Sequence, residues 1–353
     1  MENKKSKLAI LTTDSLDCSY GGISPFVKNL DKGLQEHFEL SYYHLPSWMD
    51  NVRWVSHRVL HGIYTFINLP RIKKADYILS HSPESSFVSL LSGKKVFHIY
   101  HGNANPMSVS RFKIGRFFAG MYDRMNAQIE QKATNCFTVG EKMEGRDKII
   151  NPVLHSVKPK PIEERNGFIF AGRLEVMKRV HKVIEVYHLL DEETKNNHKL
   201  YILGSGTLND SIRRVADKLG ESNNVIFIPQ IDNLELIEFC SKRKAMLMAS
   251  SLGEGFPMAI AEALSVGVPA ISTAVGDIPS FIKDGYNGYL LPMDFDPANY
   301  VAKIYSLLDN YPSFATAALE SSTIFNANSV ADWLADQIKE VDSHQAQQIS
   351  ALC

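Results

Sequence analysis

Short apolar runs that end in Gly- or Ser-rich turns recur along this chain, separated by longer segments with helical periodicity. The apolar runs lie at positions 7–12, 77–80, 96–100, 167–171, 200–203, 225–228, 245–248 and 268–272. Runs of this length between turn signals predict buried strands, whereas segments 23–35, 53–69, 112–132 and 329–341 have the spacing of helices. Alternating strands and helices predict an α/β fold with parallel sheets.

The clearest unit is a strand, a turn and a helix over positions 245–267. Pro257 suits the first helical position, because its φ is fixed and its missing N–H is not needed there, and Gly267 is expected to end the helix. Glu254 lies in the turn and Glu262 lies one turn into the helix. We therefore expect both carboxylates near the carboxyl end of the strand, where open α/β sheets bind ligands.

The start of this predicted helix suits a nucleotide-sugar. Free backbone N–H groups over 255–259 and the helix dipole favour an anion such as a diphosphate. The carboxylate of Glu262 can accept hydrogen bonds from two neighbouring ribose hydroxyls. The alternative is an ordinary βαβ unit whose two glutamates are solvated.

Length and composition predict two domains. The chain has 353 residues, and segment 151–166 is rich in proline and charge, as a linker is. No apolar run could span a bilayer, and the apolar stretch Leu8–Leu11 is too short for a signal peptide. Four scattered cysteines predict free thiols in a reducing cytoplasm.

No metal is expected, because no His, Cys and Asp cluster has the spacing of metal ligands. Asp294-Phe295-Asp296 spells D-x-D, but Asp296 precedes Pro297 as a helix N-cap would. We therefore interpret this triplet as structural.

The two halves differ in charge. Positions 1–160 contain 22 Lys and Arg against 14 Asp and Glu, a net charge of +8, and the remainder carries −9. In the helical segment 112–132, and just before it, Arg111, Lys113 and Arg116 alternate with aromatic residues, a pattern that can dock on an anionic membrane. A solvated amphipathic helix fits equally well. Nucleic acid is not expected, because no binding module is present and the second half is acidic.

The helical segment 53–69 has two different faces. One contains Trp54, Arg58, His61 and Thr65, and the other contains Val55, Val59, Ile63 and Phe66. Histidines follow the next two strands, His81 after 77–80 and His101 after 96–100. A strand's carboxyl end is where a site would lie, and His101 is the stronger candidate of the two.

Several motifs in the second half resemble the retaining GT-B glycosyltransferases of family 4. Glu254, seven residues and then Glu262, with Gly-Phe-Pro after the first, resembles the E-x7-E motif of that family. The residues that match its following pattern are Ala263, Gly267 and Pro269, with Gly276-Asp277-Ile278-Pro279 and Asp284-Gly285-Tyr286-Asn287-Gly288 further on.

The resemblance implies a GT-B architecture, in which two Rossmann-like domains face each other across a cleft. Positions 1–160 would bind the acceptor, and positions 161–327 would bind the nucleotide-sugar. A C-terminal helix at about 328–353 would cross back onto the first domain, although 342–353 has the composition of a frayed end. The reaction would retain the anomeric configuration without a metal or other cofactor.

The resemblance also implies roles for individual residues. Glu254, His101, Arg173 and Lys178 would be catalytic, with Arg173 and Lys178 neutralising the leaving diphosphate. Arg179 beside Lys178 leaves the identity of that cation open. The donor-binding set would be Gly22, Gly204, Gln230, Ile231, Gly255, Phe256, Pro257, Met258 and Glu262. Ser205 and Ser280 depart from the family, which usually has acidic residues there.

The predicted function is transfer of a hexose or N-acetylhexosamine, with UDP as the expected carrier, to a glycan or lipid-linked acceptor. Bacterial cell-surface polysaccharide synthesis is the expected setting, in the cytoplasm or on the inner face of the plasma membrane. Two alternatives remain, a GT-B enzyme that hydrolyses or epimerises a nucleotide-sugar, and a non-catalytic scaffold that binds one.

Overall fold

The structure is a computed structural model that describes residues 5–13, 15, 23–46, 49, 56–101, 119–139, 144–252 and 257–352, with side chains as far as Val341 in the last helix. The chain forms two compact units. One comprises Met1–Pro152 with Ala327–Cys353, and the other comprises Val153–Asn326. The first segment of the first unit ends at Pro152, whereas the sequence predicts the domain boundary at position 160.

The first unit is a parallel six-stranded sheet with helices. Its strands are β1 (Ser6–Leu11), β2 (Phe38–Tyr43), β3 (Tyr77–Ser80), β4 (Lys95–Tyr100), β5 (Asn135–Val139) and β6 (Asp147–Ile149), in the order β2-β1-β3-β4-β5-β6. Its helices before the second unit are α1 (Ile23–His37), α2 (His57–Ile72), α3 (Pro83–Ser89) and α4 (Ala119–Lys132). All strand pairs are parallel, as the alternation of elements predicts.

The second unit repeats this plan. Its strands are β7 (Phe168–Ala171), β8 (Leu200–Leu203), β9 (Val225–Ile228), β10 (Ala245–Leu247), β11 (Ala270–Thr273) and β12 (Gly288–Leu291). Its helices are α5 (Val180–His188), α6 (Glu192–Asn197), α7 (Asn209–Lys218), α8 (Asn233–Ser241), α9 (Met258–Ser265), α10 (Pro297–Asp309) and α11 (Tyr311–Ser321). The strand order is β12-β11-β10-β7-β8-β9, again parallel.

The last helix, α12 (Ala327–Leu352), belongs to the core of the first unit. Ala331, Leu334 and Ile338 are fully buried in the same cluster as Leu30 of α1. Gly33 permits the close approach of the two helices, because a Cβ there would lie 2.5 Å from the Ala331 Cβ. The backbone of α12 is helical as far as Leu352, past position 342 where the sequence predicts a frayed end.

The end of α2 and the start of α9 differ from the predictions, whereas the start of segment 112–132 is untested. Helix α2 continues past Pro70 to Ile72, because Pro70 lies in the last turn and removes only one backbone hydrogen bond there. Pro257 is not the first helical residue but precedes it, with ψ of 122°, and α9 begins at Met258. In segment 112–132, the described helix begins at Ala119, and residues 111–118 lie outside the described part of the chain.

Two of the four cysteines can be described. Cys136 and Cys240 are free thiols, and both are buried. Burial raises the pKa of Cys136 to about 11. Cys18 and Cys353 lie outside the described residues. No helix in the described ranges is long and apolar enough to cross a membrane.

Candidate functional site

The second sheet has a topological switch point between β7 and β10. From β7 the chain moves to β8 and β9 on one side, and β10 leads to β11 and β12 on the other. The loops that leave the carboxyl ends of β7 and β10 therefore diverge and leave a crevice, which is where open α/β sheets bind ligands. Most of the candidate residues described in this unit lie on these loops or near them.

The loop after β7 supplies the two predicted cations. The exposed Arg173 follows Gly172, whose φ is +151° and whose N–H donates to the Leu203 carbonyl at 3.0 Å. Lys178 ends a 3₁₀ turn and is only 7% exposed. A Cβ on Gly172 would lie 3.8 Å from the Lys178 Cε, so the lysine chain folds back over the start of the loop.

The neighbouring Arg179 has a structural role. It has a left-handed backbone conformation with φ of +48°, and its Nη1 donates to the Met293 carbonyl at 2.7 Å. Its guanidinium also lies 5.8 Å from the centre of the Phe295 ring. Arg179 therefore attaches the loop to the segment after β12.

The loop after β10 lies directly against the Lys178 turn. The N–H of Ser251 donates to the Met177 carbonyl at 2.8 Å, and its hydroxyl donates to the same oxygen at 3.1 Å. Residues 253–256, which include Glu254, Gly255 and Phe256, lie outside the described residues. The described chain resumes at the buried Pro257 and the half-buried Met258, beside the start of α9.

Glu262 on α9 is a buried carboxyl group. It is 2% exposed, and its Oε1 accepts a hydrogen bond from Asn233 Nδ2 at 2.9 Å. Burial raises its pKa to about 8. Asn233 is the first residue of α8, whose start is fixed by a capping box between Asp232 and Glu235. The sequence analysis missed Asn233, because only the tertiary packing of α8 against α9 brings it to Glu262.

The glycine loop after β8 packs against the loop after β7. A Cβ on Gly204, whose φ is +138°, would lie 2.0 Å from the Gly172 carbonyl oxygen. A Cβ on Gly206 would lie 2.5 Å from the Leu174 carbonyl oxygen. Both glycines are thus required for close contact between the loops, and this packing role does not depend on a ligand.

The predicted base-binding residues follow β9. Gln230 is exposed and Ile231 is half-buried. The Ser205 hydroxyl lies 3.4 Å from Gln230 Oε1, so the residue that departs from the family contacts this segment. The carboxyl ends of β7, β8 and β9 therefore bring Arg173, Gly204 and Gln230 to one edge of the sheet.

In the first unit, the switch point lies between β1 and β3 and carries a pair of histidines. His81 Nδ1 and His101 Nε2 are 2.8 Å apart, and the His81 N–H donates to the Leu11 carbonyl at 3.0 Å. Phe26 meets both imidazoles edge-on, with ring centroids 5.9 and 4.9 Å away. The sequence favoured His101 alone, although β3 and β4 are neighbours and the residues that follow them meet.

Burial keeps both imidazoles neutral. It lowers the pKa of His101 to about 3, with a further contribution from the Arg58 guanidinium, and it places the pKa of His81 well below its ordinary value. Two neutral rings share one proton in the N···N hydrogen bond. Within the described ranges His81 Nε2 is buried without a partner, and a buried orphan acceptor is less costly than a buried orphan N–H. This favours His81 as the donor, which leaves a proton on His101 Nδ1.

The D-x-D triplet was predicted to be structural, and no metal site was predicted. Asp296 caps α10 by accepting from the Ala298 N–H at 3.0 Å, so D-x-D includes an N-cap as predicted. In the ranges that the structure describes, no three His, Cys, Asp or Glu side chains are grouped to hold a metal. Gly22, the remaining donor-binding candidate, lies outside those ranges.

Solved glycosyltransferases share this fold. Sucrose-phosphate synthase of Thermosynechococcus elongatus aligns with a TM-score of 0.74 and 14% identity, covering 96% of this chain and 100% of that one. Anabaena HepE, solved in complex with UDP, aligns with a TM-score of 0.71 and 13% identity, covering 95% and 100%. The two parallel α/β units define the protein class as GT-B.

The sequence of the second unit resembles known glycosyltransferases. Residues 155–321, slightly less than half of the chain, match the family described as glycosyl transferases group 1. The lipopolysaccharide 1,6-galactosyltransferase of Escherichia coli K12 is 32% identical over 170 residues, which are 46% of this chain and 45% of that protein. A D-inositol 3-phosphate glycosyltransferase of Streptomyces bingchenggensis is 29% identical over 147 residues, 39% and 32% respectively. The matched region spans less than half of either relative.

Proposed function

We propose that this chain is a retaining glycosyltransferase that moves a hexose or N-acetylhexosamine from a UDP-sugar to a glycan or lipid-linked acceptor. The single observation that carries the proposal is the β7–β10 switch point. There the buried Lys178, the exposed Arg173 and the start of α9 adjoin the loop that contains Glu254.

The second unit holds the donor in this proposal. Arg173 and Lys178 neutralise the charge that develops on the departing diphosphate, so that no metal is required. Glu254 and the backbone N–H groups of positions 255–258 hold the hydroxyls of the donor sugar. Glu262 accepts hydrogen bonds from the ribose, and the segment at Gln230 and Ile231 contacts the base.

Transfer with retention follows from chemistry on one face of the sugar. The bond from the anomeric carbon to the diphosphate oxygen breaks, and a bond from that carbon to the acceptor oxygen forms. The acceptor hydroxyl loses its proton to the leaving phosphate oxygen on the same face. His101 lies beside the transferred sugar in this proposal, and its Nδ1–H offers a hydrogen bond.

The names of similar proteins support the choice of substrates. HepE was solved with UDP and with UDP-glucose, and the Escherichia coli relative is a lipopolysaccharide galactosyltransferase. We therefore place the chain in bacterial cell-surface polysaccharide synthesis. We propose a location in the cytoplasm or on the inner face of the plasma membrane.

The test is a thermal-shift panel of UDP-, GDP- and ADP-sugars, each with and without EDTA. A selective rise with one UDP-sugar that EDTA leaves unchanged is expected. Donor turnover is then measured with and without acceptor lipid extracts, and Glu254→Gln should lower turnover strongly while the melting temperature stays close to that of the unchanged protein. Absence of any shift would refute the donor site, and full turnover without acceptor would indicate a hydrolase.

A further inference from the structure

Helix α2 of the first unit exposes its apolar face. Four large apolar side chains at helical spacing point outward, with exposed fractions of 41% for Val59, 53% for Ile63, 59% for Phe66 and 70% for Ile67. The opposite face buries His61 and Thr65 completely. A surface helix ordinarily has the reverse arrangement, with its apolar stripe inward. We call these four outward residues the α2 stripe.

Hydrogen bonds fix this orientation. His61 Nε2 contacts the Tyr43 carbonyl at 3.1 Å, and Nδ1 contacts the Ser82 hydroxyl at 3.2 Å. Rotating the helix to bury the α2 stripe would break both contacts of His61 and leave buried polar groups without partners, which is costly.

An apolar cavity adjoins the stripe. It has a volume of about 550 Å³, which is in the usual range for small-molecule sites, and α2, α3 and α4 form its walls. Val59 belongs both to the stripe and to the cavity wall, so the two surfaces are continuous. The lining residues are Val59, Glu84, Phe87, Met121, Tyr122, Arg124, Met125 and Gln128.

One carboxyl group lies in this otherwise largely apolar wall. Among the described residues, neither buried oxygen of Glu84 has a hydrogen-bond partner. Burial raises the pKa of Glu84, and the nearby Arg58 guanidinium opposes that rise. Arg58 donates to the Tyr122 hydroxyl at 3.3 Å. Glu84, Arg58 and Tyr122 thus form a polar group at the cavity, which we call the polar end.

The polar end is close to the candidate catalytic histidine. Glu84 lies in the first turn of α3, three residues after His81, and His81 Nδ1 is 2.8 Å from His101 Nε2. A ligand with its head at Arg58 would therefore present that head near His101, while its tail extended along the apolar wall. Arg124 also lines the cavity, so two guanidinium groups, those of Arg58 and Arg124, complement an anionic head.

We propose that this cavity binds the hydrocarbon chain of the acceptor, an anionic single-chain or isoprenoid lipid whose phosphate lies at the polar end. The inference rests on the proposed transferase function and names the class of its acceptor. Arg58 supplies the positive charge that pairs with the phosphate. The α2 stripe covers the part of the chain that emerges from the cavity.

The test uses dodecyl phosphate as the probe, kept below its micelle concentration and titrated into the full chain by calorimetry. We expect one binding site per chain. Butyl phosphate lacks the tail and dodecyltrimethylammonium lacks the anionic head, so both should bind at least tenfold more weakly. Equal binding of all three, or no binding of dodecyl phosphate, would overturn the proposal.

Matched variants locate the site. Val59→Glu places a charge in the cavity wall and should weaken dodecyl phosphate binding at least tenfold. Leu319→Glu is the control, because Leu319 is 40% exposed, against 41% for Val59, and lies in the second unit. Equal affinity in Val59→Glu and the unchanged chain, with both folded by circular dichroism, would place the probe elsewhere and overturn the proposal.

Two other occupants are separate outcomes. Binding to vesicles of phosphatidylcholine and phosphatidylglycerol that Val59→Glu leaves intact, without binding of monomeric probe, would assign the face to a bilayer surface. A dimer in sedimentation that Ile63→Gln dissociates, and that Leu189→Gln does not, would assign it to a second copy. Both residues are 53% exposed. Either result overturns the proposal.

Donor binding distinguishes this inference from the proposed function. If a UDP-sugar raises the melting temperature and dodecyl phosphate does not bind, the acceptor class is wrong and the donor site remains. If no nucleotide-sugar binds, the transferase function itself is wrong, whatever the probe does.

Discussion

Replacing Glu262 with glutamine should separate stability from donor binding. Glutamine has the same shape, and its carbonyl can accept the hydrogen bond that Asn233 Nδ2 now donates to Glu262 Oε1 at 2.9 Å. The change removes only the capacity to ionise. Glu262 is 2% exposed, so its charge is poorly solvated in the folded chain.

The magnitude follows from the pKa of Glu262, which burial raises from 4.5 to about 8. Between these values the unfolded chain has released a proton that the folded chain retains, so stability falls as pH rises. Each pH unit within this window costs about 1.4 kcal/mol. From pH 5.5 to 7.5 the unchanged protein should lose about 3 kcal/mol that Glu262→Gln keeps.

The assay is thermal unfolding of both proteins at several pH values and constant ionic strength. For a unit of this size, 1 kcal/mol shifts the melting temperature by about 2–4 °C. Glu262→Gln should therefore gain roughly 6–12 °C relative to the unchanged protein between pH 5.5 and 7.5. Glu238→Gln is the control, because the Glu238 side chain is 62% exposed on α8.

Donor affinity should move in the opposite direction. If Glu262 accepts ribose hydroxyls as a carboxylate, the neutral glutamine oxygen accepts them more weakly, and a total loss of about 1.5–3 kcal/mol corresponds to roughly 10- to 150-fold in the Kd of UDP. Parallel pH profiles in the two proteins would refute the raised pKa. Unchanged UDP affinity would refute the ribose contact.

Three further changes test the remaining site. Arg173→Gln should lower kcat on the order of 100- to 1,000-fold. The melting temperature should stay unchanged, because the Arg173 side chain is exposed, and a fall would show a structural role instead. Gly204→Ala should lower the melting temperature far more than Gly220→Ala, since a Cβ at Gly204 would lie 2.0 Å from a carbonyl oxygen and one at Gly220 would contact nothing within 4 Å. His81→Phe should reduce turnover roughly tenfold to a hundredfold through the orientation of His101, and should alter the ¹⁵N chemical shifts of the His101 ring; unchanged shifts would refute the pairing.

The strands were the easiest part of the fold to predict. The eight apolar runs all form strands, because residues buried on both faces of a parallel sheet give an uninterrupted apolar signal. Strands such as β2 (FELSYY) and β6 (DKI) escaped prediction because they are mixed in polarity or only three residues long. Their pairing with β1 and β5 is a tertiary effect that local pattern does not contain.

In the candidate site, the place of a residue on its own helix could be predicted from spacing, whereas its partners on other elements could not. Spacing placed Glu262 one turn into α9, but its partner Asn233 is 29 positions away. Periodicity identified both faces of α2, but it could not show which face is buried. His61 decides that orientation through the Tyr43 carbonyl and Ser82, two partners that lie outside the helix.

The docking of α12 on α1 has a consequence for synthesis on the ribosome. The second unit, Val153–Asn326, is continuous in the chain and can fold as soon as it has emerged. The core of the first unit includes Ala331, Leu334 and Ile338, which are translated only after the whole second unit. The half of the molecule that is made first is therefore the half that is completed last, and until then its core lacks the side chains that α12 contributes.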